Sequence, residues 1–382
     1  MRVLMSGGGT AGHVYPALTV ADRFADAPDE VLFVGTPNGL EARLVPEAGV
    51  AFRGLAAAGF DRARPWTLVT STLRIAASTV RAWAWLGKTR PDVVIGFGGY
   101  VSIPVGLAAV VRGVPLVLHE QNSVPGLANE VLSRWARAVG VTYEESAAAL
   151  AHPERVVLTG NPVRPAVLAA SRERGRAALD LPDDATVLLV FGGSRGARHL
   201  NSAILGLRSR LLAIPGLQVV HVTGVAEVDA VRAALQTAGG DGGGRWKVID
   251  YLDDMGSALM ACDLVVARAG ATSIAEITAL GLPAVLVPYP YATDDHQTKN
   301  ATAMVTHGAA QLVADSELDG ERFGDIVAGL LSDAQRRASM AAASRALGRP
   351  DAADRVADLA RQAAGQAAIA HRTDASEGDP LV

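Results

Sequence analysis

Cysteine is almost absent from this chain of 382 residues, which contains only Cys262. A single thiol excludes a disulfide within the chain and any metal cluster held by several cysteines, and it suits a reducing compartment. Because Cys262 lies in the apolar sequence LMACDLVVA (259–267), we predict that it is a small core residue rather than a reactive group.

Long hydrophobic runs are also missing, although 49% of the residues are hydrophobic. The apolar stretch 101–111 is interrupted by Pro104 and followed by Arg112. A membrane-spanning helix needs about 20 consecutive apolar residues, so we predict none, and we find no secretory signal pattern. The formal net charge of −4 argues against nucleic acid as a partner.

Short apolar runs alternate with helical patterns along the whole chain. Runs of Val and Leu without strict alternation are typical of parallel strands that are buried on both faces. We predict strands at residues 2–5, 31–35, 92–97, 116–120, 156–158, 186–192, 218–222, 247–250, 264–268 and 284–288. Repeated β-α units of this kind predict an α/β fold with right-handed crossovers.

The pattern starts twice, each time as a strand, a glycine-rich turn and a helix. RVLMSGGGTAGH (2–13) opens the first half, and TVLLVFGGSRGAR (186–198) opens the second. We therefore predict two doubly wound, Rossmann-like parallel-sheet domains, which comprise residues 1–164 and 165–344. The tail 365–382 lacks a core pattern, and we predict that it is disordered.

The first turn satisfies the dinucleotide pattern G-x-G-x-x-G with Gly7, Gly9 and Gly12. A nicotinamide dinucleotide also needs an acidic residue at the end of the second strand, and that strand ends VGTPNG (34–39). This favours another ligand, since N–H groups at a helix N-terminus can hold an anion or orient a sugar. Glycines that merely permit a tight turn are the simpler alternative.

The second turn, residues 192–196, fits the hydrolase pattern G-x-S-x-G. Ser194 would then be a nucleophile, with Asp263 and His296 following it in the order that such enzymes use. The spacing suits two separate domains better, so we favour Ser194 as a hydrogen-bond donor to phosphate oxygens at a helix N-terminus.

A third segment, residues 267–290, reads as strand, helix and strand. Ala271, Thr272 and Ser273 begin the helix, so their N–H groups are candidates for phosphate binding. Glu276 is a candidate acceptor for two ribose hydroxyls, and a solvent-exposed helix glutamate is the simpler alternative.

The segment DDHQTKNA (294–301) offers Asp294 and Gln297 for sugar hydroxyls. The adjacent acids Asp253–Asp254 and Asp294–Asp295 suggest a divalent metal, but neighbouring carboxylates are usually solvated. We therefore expect no metal site.

Residues 62–90 combine tryptophans with many basic side chains and almost no acid. The residues concerned are Trp66, Trp83, Trp85, Arg62, Arg64, Arg74, Arg81, Lys88 and Arg90. This composition suits an anionic membrane surface. A helix packed on the sheet with a cationic outer face is the alternative, and both descriptions are compatible.

Several motifs in order resemble the bacterial peptidoglycan N-acetylglucosaminyltransferases of glycosyltransferase family 28, over residues 2–362. They are GGGTAGHVYPAL (7–18), GFGGYVSIP (96–104), HEQNSVPGLAN (119–129), GNPVR (160–164), FGGSRGAR (191–198), ARAGATSIAE (267–276) and DDHQTKNA. The resemblance implies the GT-B fold, two domains facing a cleft, with a last helix at about 345–364 returning to the first domain.

The implied reaction transfers N-acetylglucosamine with inversion from UDP-N-acetylglucosamine to the muramyl C4 hydroxyl of lipid I, which gives lipid II. It requires no cofactor. The implied location is the cytoplasmic face of the cell membrane, peripherally, with wall-synthesis proteins as further expected partners. A UDP-N-acetylglucosamine 2-epimerase and a non-catalytic nucleotide-sugar-binding protein are the rival functions.

The resemblance also implies donor contacts. Those expected at the sugar are Thr10, Ala11, Gly12, Asn122 and Gln297; those at the diphosphate and uridine are Arg164, Ser194, Leu252, Ala271, Thr272, Ser273, Ile274, Ala275 and Glu276. Two positions depart from the family pattern: Ala11 replaces a glycine, and Arg195 replaces a glutamine.

An inverting displacement needs a base for the acceptor hydroxyl, and His13 is the preferred candidate, because imidazole titrates near neutral pH. A purely orienting role for His13 is the alternative. His119 and Glu120 are weaker candidates for the base. Together with Gly99 and Tyr100 they are candidates for the acceptor side of the site.

Overall fold

The computed structural model describes residues 1–25, 29–56, 67–193 and 197–376, with the backbone alone for 67–71 and 366–376. Contacts divide the chain into two units. Unit 1 comprises Met1–Pro162 and Asp351–Val382, and unit 2 comprises Val163–Pro350. The boundary at residue 162 lies two residues before the one that the sequence suggests.

Unit 1 contains a seven-stranded parallel sheet in the order β3-β2-β1-β4-β5-β6-β7. Its strands are β1 Arg2–Ser6, β2 Glu30–Gly35, β3 Ala51–Gly54, β4 Val93–Gly96, β5 Leu116–Glu120, β6 Ala138–Val141 and β7 Val156–Leu158. Its first helices are α1 Ala11–Ala21, α2 Glu41–Glu47, α3 Thr67–Thr89, α4 Ser102–Val111 and α5 Leu127–Leu132.

Unit 2 contains a six-stranded parallel sheet in the order β10-β9-β8-β11-β12-β13. Its strands are β8 Thr186–Phe191, β9 Leu217–Val222, β10 Trp246–Ile249, β11 Leu264–Ala267, β12 Ala284–Leu286 and β13 Ala310–Leu312. The helices α6–α15 are Pro165–Leu168, Arg172–Ala178, Arg198–Gly206, Arg208–Leu212, Val228–Thr237, Met255–Ala261, Ala271–Leu280, His296–Thr306, Glu321–Ser332 and Ala334–Leu347.

The final helix, α16 (Ala352–Ser376), belongs to unit 1. Its residues Ala353, Val356, Ala357 and Ala360 are buried in one of the two core layers of that unit. The chain therefore returns to its first unit after completing the second. The helix extends to Ser376, whereas the sequence suggested disorder from residue 365; residues 377–382 lie outside the described part.

The fold class predicted from the sequence is confirmed, because both sheets are parallel and helices alternate with their strands. The central strands are buried on both faces: every residue of β4 and β5 is buried. Cys262 is buried as predicted, and burial raises the pKa of its thiol.

Three strands that the structure describes were not predicted from the sequence. They are β3 (AFRG), β6 (AVGV) and β13 (AQL). β3 and β13 lie at sheet edges, where burial on both faces is not needed, so their apolar runs are short or mixed with polar residues. β6 is interior but contains Gly140, at which an added Cβ would lie 3.0 Å from Thr159.

No helix within residues 1–25, 29–56, 67–193 and 197–376 is long and apolar enough to cross a membrane.

We predict that Val356→Asp lowers the stability of the protein by about 3 kcal/mol or more, since it would bury an unpaired charge in the core of unit 1. Gln362→Asp, on the exposed side of the same helix, should be nearly neutral. Urea unfolding followed by circular dichroism compares the two variants. Equal midpoints would show that α16 does not contribute to the core of unit 1.

Candidate functional site

The first glycine turn of unit 1 joins β1 to α1 and carries His13 in the first turn of the helix. Gly9 has a φ of +86°, a conformation that glycine adopts at low cost. The Nδ1 atom of His13 lies 3.0 Å from the carbonyl oxygen of Gly8 and 3.2 Å from Oγ1 of Thr10. Because a carbonyl only accepts hydrogen bonds, this geometry places a proton on Nδ1.

A second glycine turn, after β4, packs directly on the first. Gly98 and Gly99 have φ values of +91° and +79°. A Cβ at Gly99 would lie 2.5 Å from the Gly8 oxygen, and one at Gly98 would lie 3.2 Å from Nε2 of His13. A side chain is therefore excluded at Gly99 and disfavoured at Gly98 by close contact and positive φ. The exposed Tyr100 directly follows this turn.

His119, at the end of β5, is completely buried. Its Nε2 lies 2.9 Å from the carbonyl oxygen of Gly160, and its Nδ1 lies 3.2 Å from Nε2 of Gln121. Burial lowers the pKa of His119 to about 4, so the ring is neutral near pH 7. A buried, neutral ring with both nitrogens engaged suits a positioning role better than contact with an acceptor.

Glu120 is also buried, and donors surround its carboxylate. The backbone N–H groups of Asn122 and Gly126 each donate at 3.0 Å, and Nδ2 of Asn129 donates at 2.8 Å. Glu120 therefore shapes the loop that carries Asn122, the predicted donor contact, and its own carboxylate is occupied by that loop.

In unit 2, helix α12 follows β11 and begins after Gly270. Ala271, Ile274 and Ala275 are buried, while Thr272 and Ser273 are half-buried. The first turn of this helix therefore presents its backbone N–H groups together with two hydroxyl side chains.

Glu276 lies one turn further along α12 and is only 4% exposed, so the alternative of a solvent-exposed glutamate is wrong. Its Oε1 accepts a hydrogen bond from Nη2 of Arg164 at 3.1 Å. Burial raises the pKa of Glu276, and the Arg164 guanidinium opposes that shift. The structure therefore brings these two predicted site residues together.

Gln297 lies in the first turn of α13, where its Oε1 accepts from the N–H of Tyr289 at 2.9 Å. The preceding Asp294 and Asp295 both have a φ of +52°. Left-handed backbone at two consecutive non-glycine residues is strained, and such strain is concentrated at functional sites. Leu252, the remaining predicted uridine contact, is half-buried and packs against the core.

Ser194 and Arg195 lie outside the described residues. Asp263 directly precedes β11 and so lies at the amino end of that strand. In the sequence, Ser194 comes after the carboxyl end of β8, which runs parallel to β11. The carboxylate of Asp263 accepts from Arg172, Arg176 and the N–H of Val187. This carboxylate is therefore engaged at the amino end of β11, which disfavours the hydrolase alternative.

One residue of each acidic pair makes a local hydrogen bond. Asp254 caps α11 by accepting from the N–H of Ser257, and hydrogen bonds from the hydroxyl and the N–H of Ser257 lower the pKa of Asp254. Asp295 accepts from the hydroxyl of Thr298 at 2.6 Å. Among the residues that the structure describes, no three His, Cys, Asp or Glu side chains are grouped to hold a metal ion.

Helix α3 and the following Arg90 make up the described part of the basic aromatic segment. Arg62, Arg64 and Trp66 lie outside the described residues. Ala82 and Leu86 are buried against the unit, while Leu73, Val80 and Trp83 are 66%, 66% and 43% exposed. Arg74 and Arg81 are exposed as well. We call this group of five exposed side chains the α3 face.

Sequence reasoning missed Glu41. This residue is fully buried in α2, and its Oε2 accepts from the N–H of Gly9 at 3.2 Å. Its Oε1 accepts from the N–H and the hydroxyl of Thr36 at 2.8 and 2.5 Å. The only sequence signal is a glutamate six residues after the end of β2, which is too far for the dinucleotide pattern.

Comparison with known proteins identifies the class. The model of the glycosyltransferase family 28 N-terminal domain matches residues 3–141, and that of the C-terminal domain of the same family matches residues 187–356. The chain belongs to glycosyltransferase family 28, and its two parallel-sheet units have the GT-B fold.

The chain is 44% identical over 372 residues to a UDP-N-acetylglucosamine–N-acetylmuramyl-(pentapeptide) pyrophosphoryl-undecaprenol N-acetylglucosamine transferase of Desulforudis audaxviator, covering 96% of this chain and 99% of the relative. The crystal structure of Acinetobacter baumannii MurG is 31% identical, with a TM-score of 0.77, and the match covers 94% of this chain and 99% of that one.

A putative UDP-N-acetylglucosamine 2-epimerase from Listeria monocytogenes has a TM-score of 0.65 but is only 16% identical, covering 93% of this chain and 94% of that one. That similarity shows the fold alone. Within family 28, the relatives place the chain among the N-acetylglucosaminyltransferases.

We predict that Arg164→Met destabilises unit 2 by about 3 kcal/mol, since it removes the described partner of a buried carboxylate. Loss of Arg164 also removes the interaction that opposes the raised pKa of Glu276. An acid with a raised folded-state pKa loses stability as the pH rises above its unfolded-state value, so the deficit should grow from about pH 4.5 upward.

Adding Glu276→Gln to Arg164→Met should remove most of the pH-dependent part of the deficit. The melting temperatures of wild type, both single variants and the double variant, measured against pH, test this coupling. A deficit that is independent of pH would contradict it.

Proposed function

We propose that this protein transfers N-acetylglucosamine from UDP-N-acetylglucosamine to the C4 hydroxyl of the muramyl sugar of lipid I, forming lipid II. The observation that carries the proposal is the similarity over almost the whole chain to transferases named for this reaction. The arrangement of His13 in unit 1 and of the Arg164–Glu276 pair in unit 2 supplies chemistry that this reaction needs.

The donor belongs to unit 2 in this proposal. The N–H groups at the start of α12 and the Arg164 guanidinium stabilise the negative charge that develops on the UDP leaving group. Glu276 accepts the ribose hydroxyls, and Ser194 donates to the diphosphate. Leu252 and the run Ala271–Glu276 line the uridine, while Gln297 contacts the sugar.

Unit 1 contributes further contacts to the donor sugar and the contacts to the acceptor in this proposal. Thr10, Ala11, Gly12 and Asn122 contact the donor sugar, and Gly99 and Tyr100 contact the acceptor. The acceptor hydroxyl attacks the anomeric carbon in line as UDP departs, so that an α-linked donor gives a β-linked product. The transition state has oxocarbenium character.

His13 takes the proton of the attacking hydroxyl. With the proton of the neutral ring on Nδ1, the lone pair lies on Nε2, and this atom acts as the base. Arg164 and the α12 N-terminus supply the charge stabilisation that would otherwise call for a divalent metal, so the proposed reaction needs no cofactor.

Labelled UDP-N-acetylglucosamine and a lipid I analogue, incubated with the protein in EDTA, test the reaction through the disaccharide product. Formation of the 2-epimer of the donor without acceptor would favour an epimerase instead. Donor binding without either product would indicate a non-catalytic nucleotide-sugar-binding protein.

We predict that His13→Ala lowers kcat about 100-fold or more while the Kd for the donor stays nearly unchanged, because a general base acts in the transition state. His152→Ala, which removes a surface histidine paired with Glu154, is the control and should retain activity. Near-normal turnover by correctly folded His13→Ala would leave His13 with an orienting role only.

We also propose that the α3 face docks peripherally on the anionic cytoplasmic leaflet of the cell membrane, where lipid I and partner proteins of wall synthesis are found. Basic residues near an anionic surface contribute about 1 kcal/mol each. The exposed Leu73, Val80 and Trp83 add apolar contact with the lipid interface.

We predict that the double variant Arg74→Ala/Arg81→Ala binds phosphatidylglycerol vesicles about tenfold or more weakly than wild type. Binding should also weaken as salt is added, since salt screens exposed charges. Arg336→Ala, an exposed arginine of α15 in unit 2, should bind like wild type. Vesicle sedimentation measures the binding of wild type and of both variants. If all three proteins bind equally and added salt has no effect, the proposed docking surface is wrong.

A further inference from the structure

The buried carboxylate of Glu41 contacts the same peptide group as His13. Oε2 of Glu41 accepts from the N–H of Gly9 at 3.2 Å, and Nδ1 of His13 donates to the carbonyl oxygen of Gly8 at 3.0 Å. That N–H and that carbonyl are the two polar groups of the single peptide bond between Gly8 and Gly9. Carboxylate, peptide and imidazole therefore form one continuous chain of hydrogen bonds.

The chemistry of the three groups determines which one donates and which one accepts in each of these hydrogen bonds. Glu41 receives three donors, the N–H of Gly9 and the N–H and hydroxyl of Thr36, an arrangement that suits an ionised carboxylate. An anion at the N–H end of a peptide polarises the carbonyl at its other end, and hydrogen bonds in series strengthen one another. The Gly8 oxygen thus becomes a better acceptor for Nδ1–H of His13.

The turn is also built around this carboxylate. A Cβ at Gly8 or at Gly39 would collide with the carboxylate oxygens of Glu41. Glu41 therefore fills the space beneath the turn and occupies the amide that a bound phosphate would use. Negative charge at this point disfavours a phosphate on the first turn, in agreement with a donor diphosphate held by unit 2.

We propose that Glu41 is a positioning residue for His13, which acts through the Gly8–Gly9 peptide to hold the proton on Nδ1 and the lone pair on Nε2. The inference rests on the proposed function, in which Nε2 of His13 is the base. It resembles the orienting carboxylate of a catalytic triad, with one peptide group inserted between carboxylate and imidazole.

The histidine tautomer can be measured without turnover. Protein labelled with ¹⁵N-histidine is recorded by two-bond ¹H–¹⁵N correlation at a pH well above about 6.5, the ordinary pKa of histidine. The signals of His13 are assigned by their loss in His13→Asn. Wild type should show the Nδ1–H tautomer.

Glu41→Gln keeps the shape of the side chain but replaces one acceptor oxygen by an NH₂ group, which cannot accept from Gly9 while the amide oxygen serves Thr36. We expect a mixture of both tautomers and a kcat lowered about tenfold or more, with little change in the KM for the donor. Thr36→Val is the matched control, because it removes one bond to the same carboxylate and leaves the Gly9 bond intact.

Thr36→Val should keep the Nδ1–H tautomer and lose less activity than Glu41→Gln. The Nε2–H tautomer in wild type, or an unchanged tautomer in folded Glu41→Gln, would overturn the proposal. If Glu41→Gln does not fold, Glu41→Asp, whose shorter carboxylate retreats from Gly9, replaces it. If His13→Ala keeps its turnover, the proposed base is wrong, whereas the tautomer still reports on Glu41.

Discussion

The parallel register of the two sheets is the constraint on which the site depends. In a parallel sheet the carboxyl ends of all strands lie on the same side, so the turns after β1, β4 and β5 are brought together in unit 1. The turns after β8, β11 and β12 are brought together in unit 2 by the same rule. Residues far apart in the chain, such as His13 after β1 and Gly98 after β4, then lie side by side.

Close packing between the turns explains why glycine is needed at these positions better than backbone flexibility does. The turn after β4 approaches the turn after β1 so closely that side chains at Gly98 and Gly99 would meet His13 and the Gly8 backbone. Glu41 excludes a side chain at Gly8 from the opposite side. The first turn is therefore held between a neighbouring loop and a buried carboxylate, and this packing supports the position of the His13 side chain.

Sequence periodicity found ten of the thirteen strands that the structure describes, because burial in the sheet leaves an apolar run; these ten include the edge strands β7 and β10. It missed the edge strands β3 (AFRG) and β13 (AQL), whose runs are short or mixed with polar residues, and the glycine-containing β6. The motifs similarly singled out His13, Arg164 and Glu276 as candidates, because these residues lie in or beside glycine-rich turns. Glu41 was missed, because its role follows from tertiary packing of α2 under the first turn and has no local spacing rule.

The buried carboxylates of the candidate site fall into two groups, according to how many donors the protein itself supplies. Glu120 and Glu41 receive backbone N–H donors and shape loops, so their charge is consumed by the protein itself. Glu276 is different, because its described partner is a single guanidinium of Arg164, and its remaining acceptor capacity suits hydroxyl donors. A carboxylate that the fold satisfies only in part is the one that gains most from a ligand that donates hydrogen bonds, since burying it with unused acceptors costs free energy that such a ligand can return.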